Sequence, residues 1–235
     1  MKSLYLKKNI TYHHALTDDD LTKLTEIYLN RWQKVEYPST FLHENPNQFR
    51  ELFRDEIRND LQIAMKKGIC IYAKYEGRII GFTAARDVND IEMLPFEKPY
   101  KVKYEAYERV MNSFFTLMKN SHRRGDAIYL EFVTTIDEFE GTGLEESLTS
   151  VIGYTINNQG FKDVYIIPSN KEQKEHFGYE HDVVSEINLD NITFGEQQPF
   201  KGIDFIMKLI RIPISGNFAS LFSKVNQISG PQPKL

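Results

Sequence analysis

Apolar and polar positions follow two periods along this chain, and the switches between them mark the elements. Residues 10–14 read as a short first strand. Thr17 then caps a helix, because Asp18, Asp19 and Asp20 suit the positive end of a helix dipole. Leu21, Leu24, Ile27 and Tyr28 share one face of that helix. A second helical pattern starts near Pro46, with Phe49, Leu52, Phe53, Ile57, Leu61 and Ala64 as its apolar stripe and Gly68 at its end. The β-rich runs ICIYAKY (69–75) and IIGFTAA (79–85), joined by Glu76-Gly77-Arg78, predict a hairpin. A third helix is expected over 103–119 and a strong strand, AIYLEFVTT, over 127–135.

A Gly-containing loop leads into a helix from about Gly143 to Asn158. Its apolar face is Leu144, Leu148, Val151, Ile152 and Ile156, and Gly160 fits its C-terminal cap. VYIIP (164–168) is a further strand, a short helix should follow Ser169, and IDFIMKLIR (203–211) closes the sheet. Strands and helices alternate after the hairpin, so the class is α/β or α+β with a mixed sheet. No repeat or Ser/Gly-rich linker divides the chain. The expected organisation is one domain, 1–212, and a partly disordered tail, 213–235, ending in GPQPKL.

Composition narrows the function classes. With 41% hydrophobic and 13% aromatic residues the chain is too apolar to be disordered. No stretch approaches the roughly 18 apolar residues of a membrane span, and MKSLYLKKNI has no core for a signal peptide, so a cytoplasmic protein without stable membrane association is expected. A single cysteine, Cys70, excludes an internal disulfide framework. No histidine pair has metal-ligand spacing with a supporting Cys or acid, so no metal is expected. The net charge of −4 argues against general nucleic-acid binding.

Residues 133–168 carry the most chemistry, reading strand, tight loop, amphipathic helix, strand. A loop entering a helix N-terminus offers unpaired N–H groups and the positive dipole end, which suits a phosphate. Gly141 and Gly143 would let a ligand approach the backbone closely. The P-loop is excluded because its Lys is missing, and the dinucleotide fingerprint because Glu146 replaces its third Gly. The ordinary alternative is that the two glycines only make a turn.

At this point the chain resembles the GCN5-related N-acetyltransferase (GNAT) superfamily. Residues 69–85 are similar to the family's second and third strands, with Gly77 in the turn and Ile80-Gly81-Phe82 following. Residues 133–144 are similar to the fourth strand and pyrophosphate loop, and Gly160-Phe161 to Val164 and Gly178-Tyr179 to the segments after it. A narrower resemblance, to arylalkylamine N-acetyltransferases of the invertebrate type, is carried by RWQKVEYPSTF (31–41) and the long insertion over 88–120.

The resemblance implies an α+β fold: a mixed, mostly antiparallel sheet flanked by helices, with splayed central strands. It implies acetyl-CoA as acyl donor and a small primary amine, of aryl-alkylamine type, as acceptor. Backbone groups of Val133, Thr134 and Thr135 would bind the pantetheine arm, and N–H groups of Glu140, Gly141, Thr142, Gly143 and Leu144 the pyrophosphate. Glu36 and Glu131 are the candidate bases. Glu36 matches the narrower family's base, although here the motif reads Glu-Tyr-Pro instead of Glu-Pro. Glu131 stands within an apolar strand, where a carboxylate is costly unless paired or placed in a cleft. The ordinary alternative for Glu131 is a salt bridge at a strand edge.

Two features depart from the family. Asp137, Glu138, Glu140, Glu145 and Glu146 surround the place predicted for a pyrophosphate, and Lys174 stands where a proton-donating Tyr is common. A non-catalytic CoA- or partner-binding protein is therefore an alternative, as is a protein or peptide N-acetyltransferase.

Overall fold

The computed structural model describes residues 9–35, 46–92, 101–169 and 181–214. In chain order the elements are β1 (Thr11–His14), α1 (Asp18–Val35), α2 (Pro46–Lys66), β2 (Cys70–Tyr75), β3 (Arg78–Asp87), α3 (Lys101–Ser121), β4 (Ala127–Thr135), α4 (Leu144–Asn158), β5 (Asp163–Ile166), β6 (Asp182–Asn188) and β7 (Ile206–Pro213). They form one seven-stranded sheet in the order β1-β2-β3-β4-β5-β7-β6. The β4–β5 pair is parallel and the other pairs are antiparallel.

The helix starts follow local chemistry. At α1 the Asp20 N–H donates to Thr17 Oγ1 at 3.1 Å, and the Thr17 N–H donates back to Asp20 Oδ2 at 3.1 Å. This reciprocal cap satisfies two backbone donors. Side chains alternate across the sheet by the strand period. Ile128 and Phe132 of β4 join Leu21, Leu24, Ile57, Leu61, Ile152 and Ile156 on one face. Ala127 and Tyr129 join Phe114, Phe115 and Met118 of α3 on the other.

The structure adds one strand and shifts another. β6 is not expected from the sequence, because DVVSEIN carries a solvated edge strand with Val183 and Val184 exposed. The closing strand begins at Ile206, not 203, because Ile203 N–H donates to Phe200 O and Phe205 N–H to Ile203 O in a turn. The short helix expected after Ser169, and the tail beyond Ile214, lie outside the described residues. Among the described residues no helix is long and apolar enough to cross a membrane.

Candidate active site

Strand β4 parts from its parallel neighbour within its own length. Pairing with β5 runs from Ala127–Asp163 to Tyr129–Tyr165 and stops there, while pairing with β3 continues to Gly81–Thr135. The second half of β4 thus has a sheet partner on one side only. A β-bulge falls in the same place. Ala84 faces Phe132 and Ala85 faces Leu130, so Glu131 is the extra residue with no partner on β3. A bulge re-aims a side chain and increases the local twist, which helps β4 leave β5.

Beyond Thr135 the chain turns through the 3₁₀ segment Asp137–Phe139 into α4. Phe139 and Leu144 are buried against Ala73, Ile80 and Leu148 and pin the loop at both ends. Gly141 (φ 66°) and Gly143 (φ 82°) take left-handed backbone conformations that a side chain would strain. The Glu140 N–H is used within the loop by Asp137 O, and that of Thr142 by Phe139 O. The N–H groups of Gly141, Gly143, Leu144, Glu145 and Glu146 have no acceptor among the described residues. They point the positive end of α4 at the loop.

Part of the acidic rim is paired from outside the segment. Arg31 of α1, with only 8% of its side chain exposed, reaches Asp137 and Glu140, each at 2.8 Å. Arg78 reaches Glu138 at 2.5 Å. The Thr135 hydroxyl donates to Glu145 at 3.3 Å. Of the five acidic residues around the loop, Asp137, Glu138, Glu140 and Glu145 are therefore engaged by side chains from outside it.

At the bulge a cavity of about 160 Å³ opens between α1, α2, α3 and β4. Its wall combines aromatic rings (Tyr28, Phe53, Tyr107, Tyr129, Phe132, Phe205) with three carboxyls, Glu56, Asp60 and Glu131. Arg86, 3% exposed, forks between two of them, with Nη1 to Asp60 Oδ1 at 2.5 Å and Nη2 to Glu131 Oε1 at 2.7 Å. Burial, with mutual repulsion, raises Asp60, and burial raises Glu131 against the pull of Arg86. One guanidinium is thus shared by two buried carboxyls, both held above the ordinary carboxylate range. Burial first, then the charges of Glu131 and Glu108, lift Glu56 to about 7 against the opposing pull of Arg86.

No protein-family model matches the sequence, and no curated protein does. Solved structures do match. The C-terminal condensation domain of Ebony, in complex with β-alanyl-dopamine, is 9% identical with a TM-score of 0.73, covering 87% of this chain and 98% of that one. Arylalkylamine N-acetyltransferase 2 from Aedes aegypti is 13% identical with a TM-score of 0.55, over 88% and 100% of the two chains. The polyamine N-acetyltransferase of Drosophila melanogaster is 13% identical with a TM-score of 0.54, over 87% and 98%.

The chain has the GNAT fold. In GNAT terms the parting of β4 from β5 is the splay that the sequence resemblance implies, and Val133, Thr134 and Thr135 lie along it. Glu131 is ion-paired, as its ordinary reading has it, but on a bulge of a central strand that lines a cavity, not at a sheet edge. Glu36 and Lys174 lie outside the described residues. Sequence reasoning missed Arg31, Arg86, Glu56 and Asp60. A signal for two of them existed: Arg86 and Glu131 are opposite charges, each inside an apolar strand, and such charges need partners. Glu56 and Asp60 flank Ile57 and Leu61 at the edge of a buried stripe, where helical spacing alone does not separate site from surface.

Proposed function

We propose that this chain is an acyl-CoA-dependent N-acyltransferase that moves an acetyl group from a thioester to a small primary amine. The observation that carries the reading is the one-sided second half of β4. It leads from a carboxylate-bearing aromatic cavity at Glu131 to a loop with free N–H groups beyond Thr135. Glu131 and Thr135 are four residues apart, ~13 Å along a strand, so both ends of an extended thioester arm have a place on one element.

In this reading backbone groups of Val133, Thr134 and Thr135 hold the arm in strand-like fashion. The N–H groups of Gly141, Gly143 and Leu144, joined by Glu145 and Glu146, hold the pyrophosphate. They bind through the backbone, so acidic side chains in the loop do not remove them. A free N–H of β4 steadies the oxyanion of the tetrahedral intermediate. The cavity takes the amine: its rings suit an aryl or alkyl body, and its carboxyls suit an ammonium group. A carboxyl of this cavity accepts the proton that the amine sheds before attack.

A second reading is favoured by the condensation domain whose TM-score of 0.73 exceeds those of the two acetyltransferases compared. The compound in that complex is an amide of an amino acid and an arylalkylamine. A cavity lined by three carboxyls suits an acyl group that itself bears an ammonium. Calorimetry with CoA, followed by turnover of tyramine with acetyl-CoA and with β-alanyl-CoA, tests both. CoA binding with acetyl transfer supports the first reading, and transfer from β-alanyl-CoA alone supports the second. No heat of CoA binding at millimolar ligand overturns the first.

A further inference from the structure

We propose that Glu56, not Glu131, is the catalytic residue that takes the proton from the attacking amine. The inference rests on the acyl-transfer reading above and assigns one of its steps. Three carboxyls line the cavity, and they are not equivalent. Asp60 and Glu131 share the two arms of Arg86 and lie against one another. Each of the two carboxyls thus holds one arm of the buried Arg86. A proton taken up at either carboxyl would weaken an ion pair to the buried Arg86, which is costly.

Glu56 stands one helical turn before Asp60 on α2, so its carboxyl leaves the same helix face. It lines the cavity, and among the described residues it has neither a hydrogen bond nor an ion pair. Around it stand Asp60 on α2, Arg86 on β3, Glu131 and Tyr129 on β4, Tyr107 and Glu108 on α3 and Tyr28 on α1. Only Arg86 among these is cationic, and its two Nη groups are already engaged. Burial beside like charges places Glu56 at about 7, where a carboxyl both accepts and returns a proton at neutral pH.

The step balances. The amine arrives as an ammonium and passes one N–H proton to the Glu56 carboxylate. The freed lone pair forms the C–N bond at the thioester carbonyl carbon. The C–S bond breaks, its electron pair leaves with sulfur, and the sulfur takes the second nitrogen proton. Glu56 then releases its proton to solvent.

The test is the pH profile of tyramine acetylation by acetyl-CoA for the full chain and for Glu56→Gln, Glu56→Asp and Glu131→Gln, with CoA affinity measured on each by calorimetry. The wild-type kcat/KM should rise with pH through about 7. Glu56→Gln should lose that limb and at least tenfold in kcat, with CoA affinity unchanged, and Glu56→Asp should recover part of both. Glu131→Gln should keep the limb but move it to lower pH, because a charge that lifts Glu56 is gone. A Glu56→Gln protein with wild-type kcat and limb, or loss of the limb in Glu131→Gln alone, would overturn the role of Glu56. A wild-type chain that binds no CoA would overturn the acyl-transfer reading itself, a separate result.

Discussion

Arg31 sets the local charge of the acidic loop. It is nearly buried on α1, and it meets Asp137 and Glu140 from a distance of over a hundred residues in sequence. With Arg31 in place two of the loop's carboxylates are turned toward a cation. Arg31→Ala should weaken CoA binding severalfold at low salt by releasing them. The gap should narrow near 0.5 M salt, because repulsion between exposed charges is screened over a few ångströms there; calorimetry at two salt concentrations checks this. Glu56 predicts a stability effect of opposite sense to its role. Its folded pKa stands at about 7 against an ordinary 4.5. Between those values the folded state binds more protons than the unfolded chain, so stability falls as pH rises and levels off above the folded pKa. Glu56→Gln should therefore be more stable than wild type at pH 8, by on the order of 3 kcal/mol. The gain should shrink through pH 7 to 5 and vanish near pH 4, as read from denaturant midpoints across pH.

At the scale of elements, β4 does the positioning. A single bulge at Glu131 re-aims that side chain, and the departure from β5 after Tyr129 frees the strand's far half. β3 braces it by close approach at Gly81, where a Cβ would stand 2.7 Å from Thr134 O and 3.1 Å from Thr135 Cγ2. Gly81→Ala should push β3 from the very residues read as holding the arm. A loss of roughly 1–3 kcal/mol in stability and weaker CoA binding are expected, measured by chemical denaturation and calorimetry. The extent of β4, 127–135, is legible in the sequence because it is a run of β-branched and aromatic residues bounded by polar turns. The bulge is not legible, since an extra residue leaves no mark on composition. β6 escapes notice for a related reason. Its pairing with β7 stabilises it through the backbone, while its side chains stay in solvent.

For the whole molecule, the sheet is a layer between two apolar clusters, and the cavity opens where α1, α2 and α3 converge on the bulge. A ligand seated along β4 from cavity to loop would bind only the folded chain. Saturating CoA, at 100 times its Kd, should therefore add about 2.7 kcal/mol to unfolding free energy, seen as a raised melting temperature that Arg31→Ala reduces. The amino-acid sequence by itself determined the helices and most strands, because propensity, capping and apolar period are local. It also determined the loop into α4, because Gly141 and Gly143 answer a backbone need that local sequence states. Tertiary structure alone decided what the charges do. Arg31 comes from α1 to Asp137 and Glu140, and Arg86 from β3 to Asp60 of α2 and Glu131 of β4. Electrostatic partnership depends on distance through space and on exclusion of water, and neither exists until the sheet has brought remote segments together.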